Sequence, residues 1–594
     1  MLATPPMDNQ TSKNPTDTAR FRAKRDPQDL VVFFALASAL TIFFLFVYVL
    51  LIFRQNINWD EFNFLAQIYA VQSALDGPRL NNFHTLIYGW VTRVPGNEID
   101  QIMAARFGQL AFFSGSMYLL YKIARQHFSG FVSLVVILLT VSYTDVLRHA
   151  SSFRFDTIIL FFSLLALYLY TAGSTRIRGA AAGGVLAIGF LVSIKAVFFL
   201  PVMLATAFIQ EKAERRRGAI PGRILVLISS LGFAFAFIYL TRAAVGTETQ
   251  MPQFGGEIRS VASAGKKMFL EDGLFPRSSY LARSINENIG HWVLLTVGAL
   301  LALRAVFSSH KARRRALFVI ACLIPLGSVT IYRNAFPYFY VLVIPPAMLS
   351  AGVAVEQIIR FSREFSPITR RLMVLSPIGA ALLTASLFLT LEHREGISKQ
   401  RTVLQSVHEI FPNAVPYLDG YGMVSSFPKT GLWMSTWGMD NYHRRNTGVM
   451  PQLLLESEPK FLLANHVALL DRRNKLSNDE IRYRRLLPED AAMLTKYFVH
   501  HWGPIYIAGK TIVIPEAGQP QEFSIMSGGP YTVEAAEPIV LNEALVQPGQ
   551  VVELKQGVNV LESLNPLTVV TLRWGDNLAM PISPAPTEWL WDGL

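Results

Sequence analysis

The sequence predicts a polytopic α-helical membrane protein of about eleven spans, followed by a soluble domain with an α/β part and a β-sandwich part. Three observations carry this. Only 16% of the 594 residues are charged and 51% are hydrophobic, where an average soluble domain carries roughly 25% charge. Runs of about 18 or more apolar residues recur through the first two thirds of the chain. Each is long enough to cross a hydrocarbon core as a helix, which satisfies its own backbone there. Beyond about residue 393 the runs stop, and short apolar segments separated by turn residues take over.

In chain order, a polar stretch of about thirty residues precedes the first apolar run, 30–53. At about 24 residues the run is longer than a secretory h-region, so a retained span is expected. Next come "NWDEFNFL" (58–65) and an amphipathic segment, 62–94, interrupted by "DGPR" (76–79), which reads as interfacial helices. Spans are expected at 102–122, 129–147 and 156–172, then a short pair, 179–194 and 197–210, hinged at Lys195. Further spans at 223–243, 289–307, 316–332, 338–358 and 372–391 complete the set. Two domains follow from this division: 1–393 in the membrane, and 394–594 outside it, with an α/β part over 394–500 and a β-rich part over 501–594.

The formal charge of +12 is topological. Basic residues collect at "RFRAKR" (20–25), "EKAERRR" (211–217), "HKARRR" (310–315) and "SREFSPITRR" (362–371), between apolar runs, as cytoplasmic loops require. A nucleic-acid partner is not expected, and a cytoplasmic N-terminus is. The single cysteine, Cys322, excludes an intrachain disulfide and a cysteine metal cluster.

This orientation puts several polar residues on the outer side: Asp60 and Glu61 beside Trp59; Arg148, Arg154 and Asp156; Lys195; and Arg333, Tyr338 and Tyr340. Ionisable residues at span ends carry a functional hypothesis when they converge from separate spans. Carboxylates beside Arg and Lys suit a sugar held on a lipid phosphate. A carboxylate takes the acceptor proton, cations hold the departing phosphate, and aromatic rings seat sugar or lipid. The bland readings stay beside these. The acid pair alone is a helix start, Arg154 and Asp156 a capping salt bridge, Lys195 a snorkelling cation and Arg333 an interface anchor.

"WDE" after the first span, "RHASSFRFDTIILFFSLLALYLY" (148–170), "FLVSIKAVFFLP" (190–201) and "RNAFPYFYVLVIPPAML" (333–349) resemble the C-type (GT-C) membrane glycosyltransferases, specifically the protein O-mannosyltransferase and lipid A aminoarabinose transferase group. The resemblance covers about 1–393 and implies a GT-C-like fold and a polyprenyl-phosphate sugar donor. It also implies Asp60 as general base, Glu61 in support, Asp156 as a further catalytic acid, and Arg154, Arg148, Lys195 and Arg333 toward the donor phosphate. Trp59, Tyr338 and Tyr340 are then lipid or sugar contacts. Where many relatives carry His-Pro-Tyr, this chain has Phe336-Pro337-Tyr338. Residues 528–562 resemble the β-rich extracytoplasmic modules of bacterial members, so a bacterial inner membrane with a periplasmic C-terminal domain is expected.

The implied partners are the lipid-linked donor, membrane lipids and a lipid, glycan or protein acceptor. No metal ligand set is legible; His84 and His149 show no ligand spacing beside Glu61, and a divalent cation stays open. A transporter or flippase, or a non-catalytic scaffold, is the alternative. Transport sites lie near the midplane on broken helices, whereas these charges gather at span ends.

Overall fold

The computed structural model describes residues 27–73, 83–173, 175–215, 223–245, 273–391, 396–470, 485–586 and 590–591. The basic stretch 20–25, "DGPR" at 76–79, most of the segment between the spans expected at 223–243 and 289–307, and the end of "EKAERRR" lie outside them. Helix α1 (Pro27–Arg54) is followed by α2 (Trp59–Gln72), α3 (Phe83–Tyr88), α4 (Glu98–Arg125), α5 (Gly130–Val141), α6 (Thr144–His149) and α7 (Phe155–Thr171). Helix α8 (Arg176–Val192) and a 3-10 turn (Ile194–Phe199) lead into α9 (Leu200–Arg215) and α10 (Arg223–Val245). The helical part closes with α11 (Ser278–Glu287), α12 (Ile289–Ala305), α13 (His310–Gly327), α14 (Tyr340–Phe361) and α15 (Pro367–Leu391).

By length and composition, three helical stretches among the described residues suffice to cross a membrane: Val31–Arg54, Pro337–Glu364 and Pro367–Leu391. The pair α11 and α12, bent by 98°, makes a fourth if it is one span. Four more expected spans fall on shorter apolar helices, among them Gly130–Val141 and Phe155–Thr171. Helix α1 leaves Val31, Ile42 and Phe46 exposed at 66%, 70% and 58%, an apolar face suited to lipid. The stretch Pro337–Glu364 is 89% buried and forms the centre of the bundle. There α12 and α14 touch backbone to backbone. A Cβ on Gly298 would collide with the Ser350 carbonyl oxygen.

The span expected at 129–147 is broken. Helix α5 has 12 residues, about 18 Å of rise, and the chain turns at Ser142 and Tyr143 before α6. A break leaves backbone donors orphaned, and Asn288, at the bend between α11 and α12, supplies the partner. Its Oδ1 accepts the Thr144 N–H at 2.9 Å, and its Nδ2 donates to the Thr144 hydroxyl at 2.8 Å. Two helix breaks therefore satisfy each other.

The C-terminal part begins with α16 (Gly396–Ile410), then strands β1 (Tyr417–Asp419), β2 (Lys429–Thr430) and β3 (Phe461–Leu463), with helices α17 (Thr436–Arg445) and α18 (Met450–Ser457) between β2 and β3. After α19 (Val467–Leu470) and α20 (Pro488–Tyr497) come β4 (Phe498–Trp502), β5 (Ile505–Ile514), β6 (Gln521–Ile525), β7 (Gly529–Glu534), β8 (Ile539–Leu541), β9 (Ala544–Val546), β10 (Val551–Leu554), β11 (Gly557–Ser563) and β12 (Thr568–Trp574). Strand β1 pairs in parallel with β2 and β3, and the same sheet continues antiparallel through β5, β12, β7 and β10. Phe461 stands opposite Ile507 and Leu463 opposite Ile505, so one sheet runs through both parts. A second sheet, ordered β6-β11-β8-β9, faces the far half. Inward-facing Ile512, Phe523, Val533, Leu561, Val570 and Leu572 fill the sandwich.

This domain is fastened to the helices by a few direct contacts. Gln400 Nε2 donates to the carbonyls of Ile57 (2.9 Å) and Leu590 (3.1 Å), and its Oε1 accepts the Ile57 N–H at 3.0 Å. The Ser425 hydroxyl donates to Phe62 O at 2.9 Å. Arg401 pairs with Asp100 at 2.8 Å and His408 with Glu98 at 3.0 Å. The loop carrying "NWDE" is therefore held between the bundle and the C-terminal domain.

Candidate active site

Asn58 begins the site. Its side chain accepts the Asp60 N–H at 2.9 Å while its own N–H donates to Glu61 Oε1 at 3.0 Å, a capping box that starts α2. Both acids lie in the first turn, where the helix dipole favours them. Adjacent helical residues point about 100° apart, so the two carboxylates diverge.

Glu61 turns inward and is fully buried. Its oxygens accept two bonds from Arg106 (2.8 and 2.7 Å) and one from the Phe153 N–H (2.7 Å), beside the Asn58 bond. Burial alone would push this carboxyl up, but the Arg106 charge and these hydrogen bonds outweigh it and hold it below the usual range. Arg106 also donates to the carbonyls of Ile52, Gln55 and Asn56 at the end of α1. Glu61 thus ties the first turn of α2 to Arg106 of α4 and to the backbone at Phe153.

Asp60 turns the other way, with its side chain 24% exposed, and accepts from Arg154 Nη1 at 2.5 Å. Arg154 Nε lies 3.7 Å from Asp156 Oδ2, and Asp156 Oδ1 accepts from Lys195 Nζ at 2.8 Å. The Tyr338 ring covers both cations, 3.5 Å from the Arg154 guanidinium and 4.8 Å from Lys195 Nζ. Four charges from α2, the turn before α7, α7 itself and the 3-10 turn after α8 form one alternating row. Only its ends reach solvent to any extent: Asp156 is 3% exposed, Arg154 5% and Lys195 14%. Arg154 Nε and Asp156 Oδ2 are buried and make no hydrogen bond among the described residues, so the row holds unused polar capacity.

The other expected residues stand apart from this row. Arg148 lies 3.5 Å from Asp145 and 3.8 Å from Glu287, over the Phe388 ring. Tyr340 is wholly buried at the start of α14. Arg333 Nη2 is 3.5 Å from Asp440 of the C-terminal domain. Trp59 stacks on Tyr421 at 5.1 Å and meets Trp591 edge-on at 6.1 Å, so its ring is used in the domain contact. His84 packs against Phe64 and Phe155. Among the described residues no three of His, Cys, Asp and Glu gather as metal ligands, and the row's carboxylates are engaged by cations.

Sequence reasoning missed Arg106 and Asp145. Both lie inside expected spans, 102–122 and 129–147, where an ionisable residue is costly and demands a partner. That signal was present in the sequence.

No protein-family model matches the sequence, and none of the curated proteins does. Among solved structures the chain is similar to ArnT from Cupriavidus metallidurans bound to undecaprenyl phosphate, with 13% identity and a TM-score of 0.48, over 75% of this chain and 95% of that one. It is similar to the Archaeoglobus fulgidus oligosaccharyltransferase tethered with an acceptor peptide containing the NVT sequon, with 10% identity and a TM-score of 0.42, over 93% and 98%. A third is the arabinosyltransferase EmbB from Mycobacterium smegmatis, with 11% identity and a TM-score of 0.35, over 91% and 64%. Each is a likeness at low sequence identity.

Proposed function

We propose that the protein is a membrane glycosyltransferase that moves a sugar from a polyprenyl-phosphate donor to an acceptor hydroxyl on the non-cytoplasmic face. The reading rests on one observation: the row Asp60, Arg154, Asp156 and Lys195, built from separate elements beneath the soluble domain, with an accessible carboxylate at one end and an accessible cation at the other. Asp60 takes the acceptor proton as the acceptor oxygen bonds to the anomeric carbon. The carbon–oxygen bond to the donor phosphate breaks with its electron pair, and configuration inverts. Lys195 and Arg154 offset the charge that grows on the leaving phosphate, Lys as a compact charge and Arg as a fork. Asp156 holds both cations in place. The C-terminal domain, which contacts the same loop through Trp59 and Phe62, presents the acceptor.

The test is sugar transfer by the full-length protein in nanodiscs, with extracted polyprenyl-phosphate sugars as donors. Asp60→Asn should lose about 10²-fold or more in kcat with the fold intact. Transfer at the wild-type rate by Asp60→Asn would remove Asp60 from the chemistry. No transfer by either protein, together with donor movement across the bilayer, would replace the enzyme by a flippase.

A further inference from the structure

A second polar site lies at the opposite end of the helices. Helix α4 runs 28 residues from the domain contact at Glu98 to Arg125, about 40 Å, and beyond it a cavity of about 590 Å³ opens between the ends of α4, α7, α9 and α14 and the start of α13. Lys311, Arg314, Arg315 and Arg360 line it, with His127 and Thr206. The basic stretch at 310–315, assigned above only to topology, therefore forms part of a concave surface.

Two independent features point to an anion. First, positive charge is in excess. Arg315 and Arg360 share one carboxylate, Glu356, and no carboxylate among the described residues pairs with Lys311 or Arg314. The same potential reaches His127, which burial, assisted by Arg315 and Arg314, pushes down to about 4. Second, the cavity has buried polar atoms in its lining. Thr206 is 1% exposed, yet its Oγ1 makes no hydrogen bond among the described residues, not even to the carbonyl one turn back that a helical Thr ordinarily uses. His127 Nε2 is likewise buried and unbonded. Such groups are costly unless a ligand meets them.

We propose that this cavity binds the phosphate group of an anionic ligand, with the Arg and Lys side chains on its oxygens and Thr206 and His127 at its inner end. A phospholipid headgroup from the adjacent leaflet and a soluble phosphate ester share that chemistry. Basic pockets between spanning helices on the positive side suit the former, and an Arg fork matches either.

The experiment is native mass spectrometry of the full-length protein with phosphatidylglycerol or phosphatidylcholine, paired with thermal unfolding in inorganic phosphate against chloride at equal ionic strength. Wild type should retain phosphatidylglycerol in preference to phosphatidylcholine. Lys311→Gln and Arg314→Gln should each weaken that retention about fivefold. The control Arg363→Gln, exposed and outside the cavity, should not. Lipid retention that phosphate leaves unchanged identifies a headgroup, and stabilisation by phosphate lost in the two variants identifies a soluble phosphate group. Equal affinity for the two lipids with no effect of phosphate, or an equal loss in Arg363→Gln, would overturn the site.

Discussion

Arg106 and Glu61 form a buried two-pronged ion pair, Nε to Oε2 at 2.8 Å and Nη2 to Oε1 at 2.7 Å. All five guanidinium N–H groups are used, because the remaining three meet the carbonyls of Ile52, Gln55 and Asn56. The pair thereby joins the end of α1, the first turn of α2 and the first third of α4, and it sets the direction in which Asp60 points.

Removing one partner leaves the other as an unpaired charge. Arg106→Gln and Glu61→Gln should each cost about 3–5 kcal/mol, read as lowered Tm in detergent. The double variant should be more stable than the sum of the two single losses allows. Simple additivity would show that the two residues do not act as a pair.

The two ends of the charged row should separate kinetically under the proposed activity. Lys195→Ala, which removes a phosphate contact made before and during reaction, should raise donor KM by about 10-fold or more. Asp60→Asn should lower kcat with KM nearly unchanged. Steady-state transfer rates against donor concentration distinguish them, and equal effects on both parameters in both variants would place them in one role.

Domain docking should depend on pH through Glu98 and His408, which meet at 3.0 Å. The hydrogen bond that its ring N–H donates to the Glu98 carboxylate raises His408 above its ordinary 6.5. Its contribution is therefore complete below about 6.5 and is lost as pH rises through the raised value. Burial would raise Glu98, but bonding to His408 and Ser426 outweighs it and lowers the group below 4.5. Its contribution is present above about 4.5 and is lost as pH falls through the lowered value. Docking should be strongest between about pH 4.5 and 6.5 and weaken above that range, read from the tryptophan fluorescence melt. His408→Gln should flatten the upper limb.

Gly298→Ala should be destabilising by about 1–3 kcal/mol, because its new methyl group meets the Ser350 carbonyl. In α8, Gly184 has open space where a Cβ would stand, and Gly184→Ala should be neutral or stabilising by about 0.5–1 kcal/mol. Thermal unfolding of the two variants side by side checks the close approach of α12 and α14.

Features written in neighbouring residues were legible in the sequence. The apolar runs imply helices because a bilayer leaves the backbone no other local partner. The adjacency of Asp60 and Glu61 after the first run, and the turn at Lys195 between α8 and α9, were readable because nearest-neighbour chemistry sets them. The breaks at Ser142 and Asn288 were not, since Asn288 meets Thr144, beside the first break, from more than 140 positions away.

What the tertiary structure alone decided is the partner of each charge. Asp60 and Glu61 are alike in composition and position, yet one faces out and the other in. The reason is Arg106, 45 positions further along, brought close by packing of α4 against α1 and α2. Arg154, Asp156 and Lys195 join the outer acid because α7 and the end of α8 pack side by side, while Arg333 turns to Asp440 and Trp59 to Tyr421. Such choices depend on distances between elements, and periodicity along a single chain carries no measure of those distances.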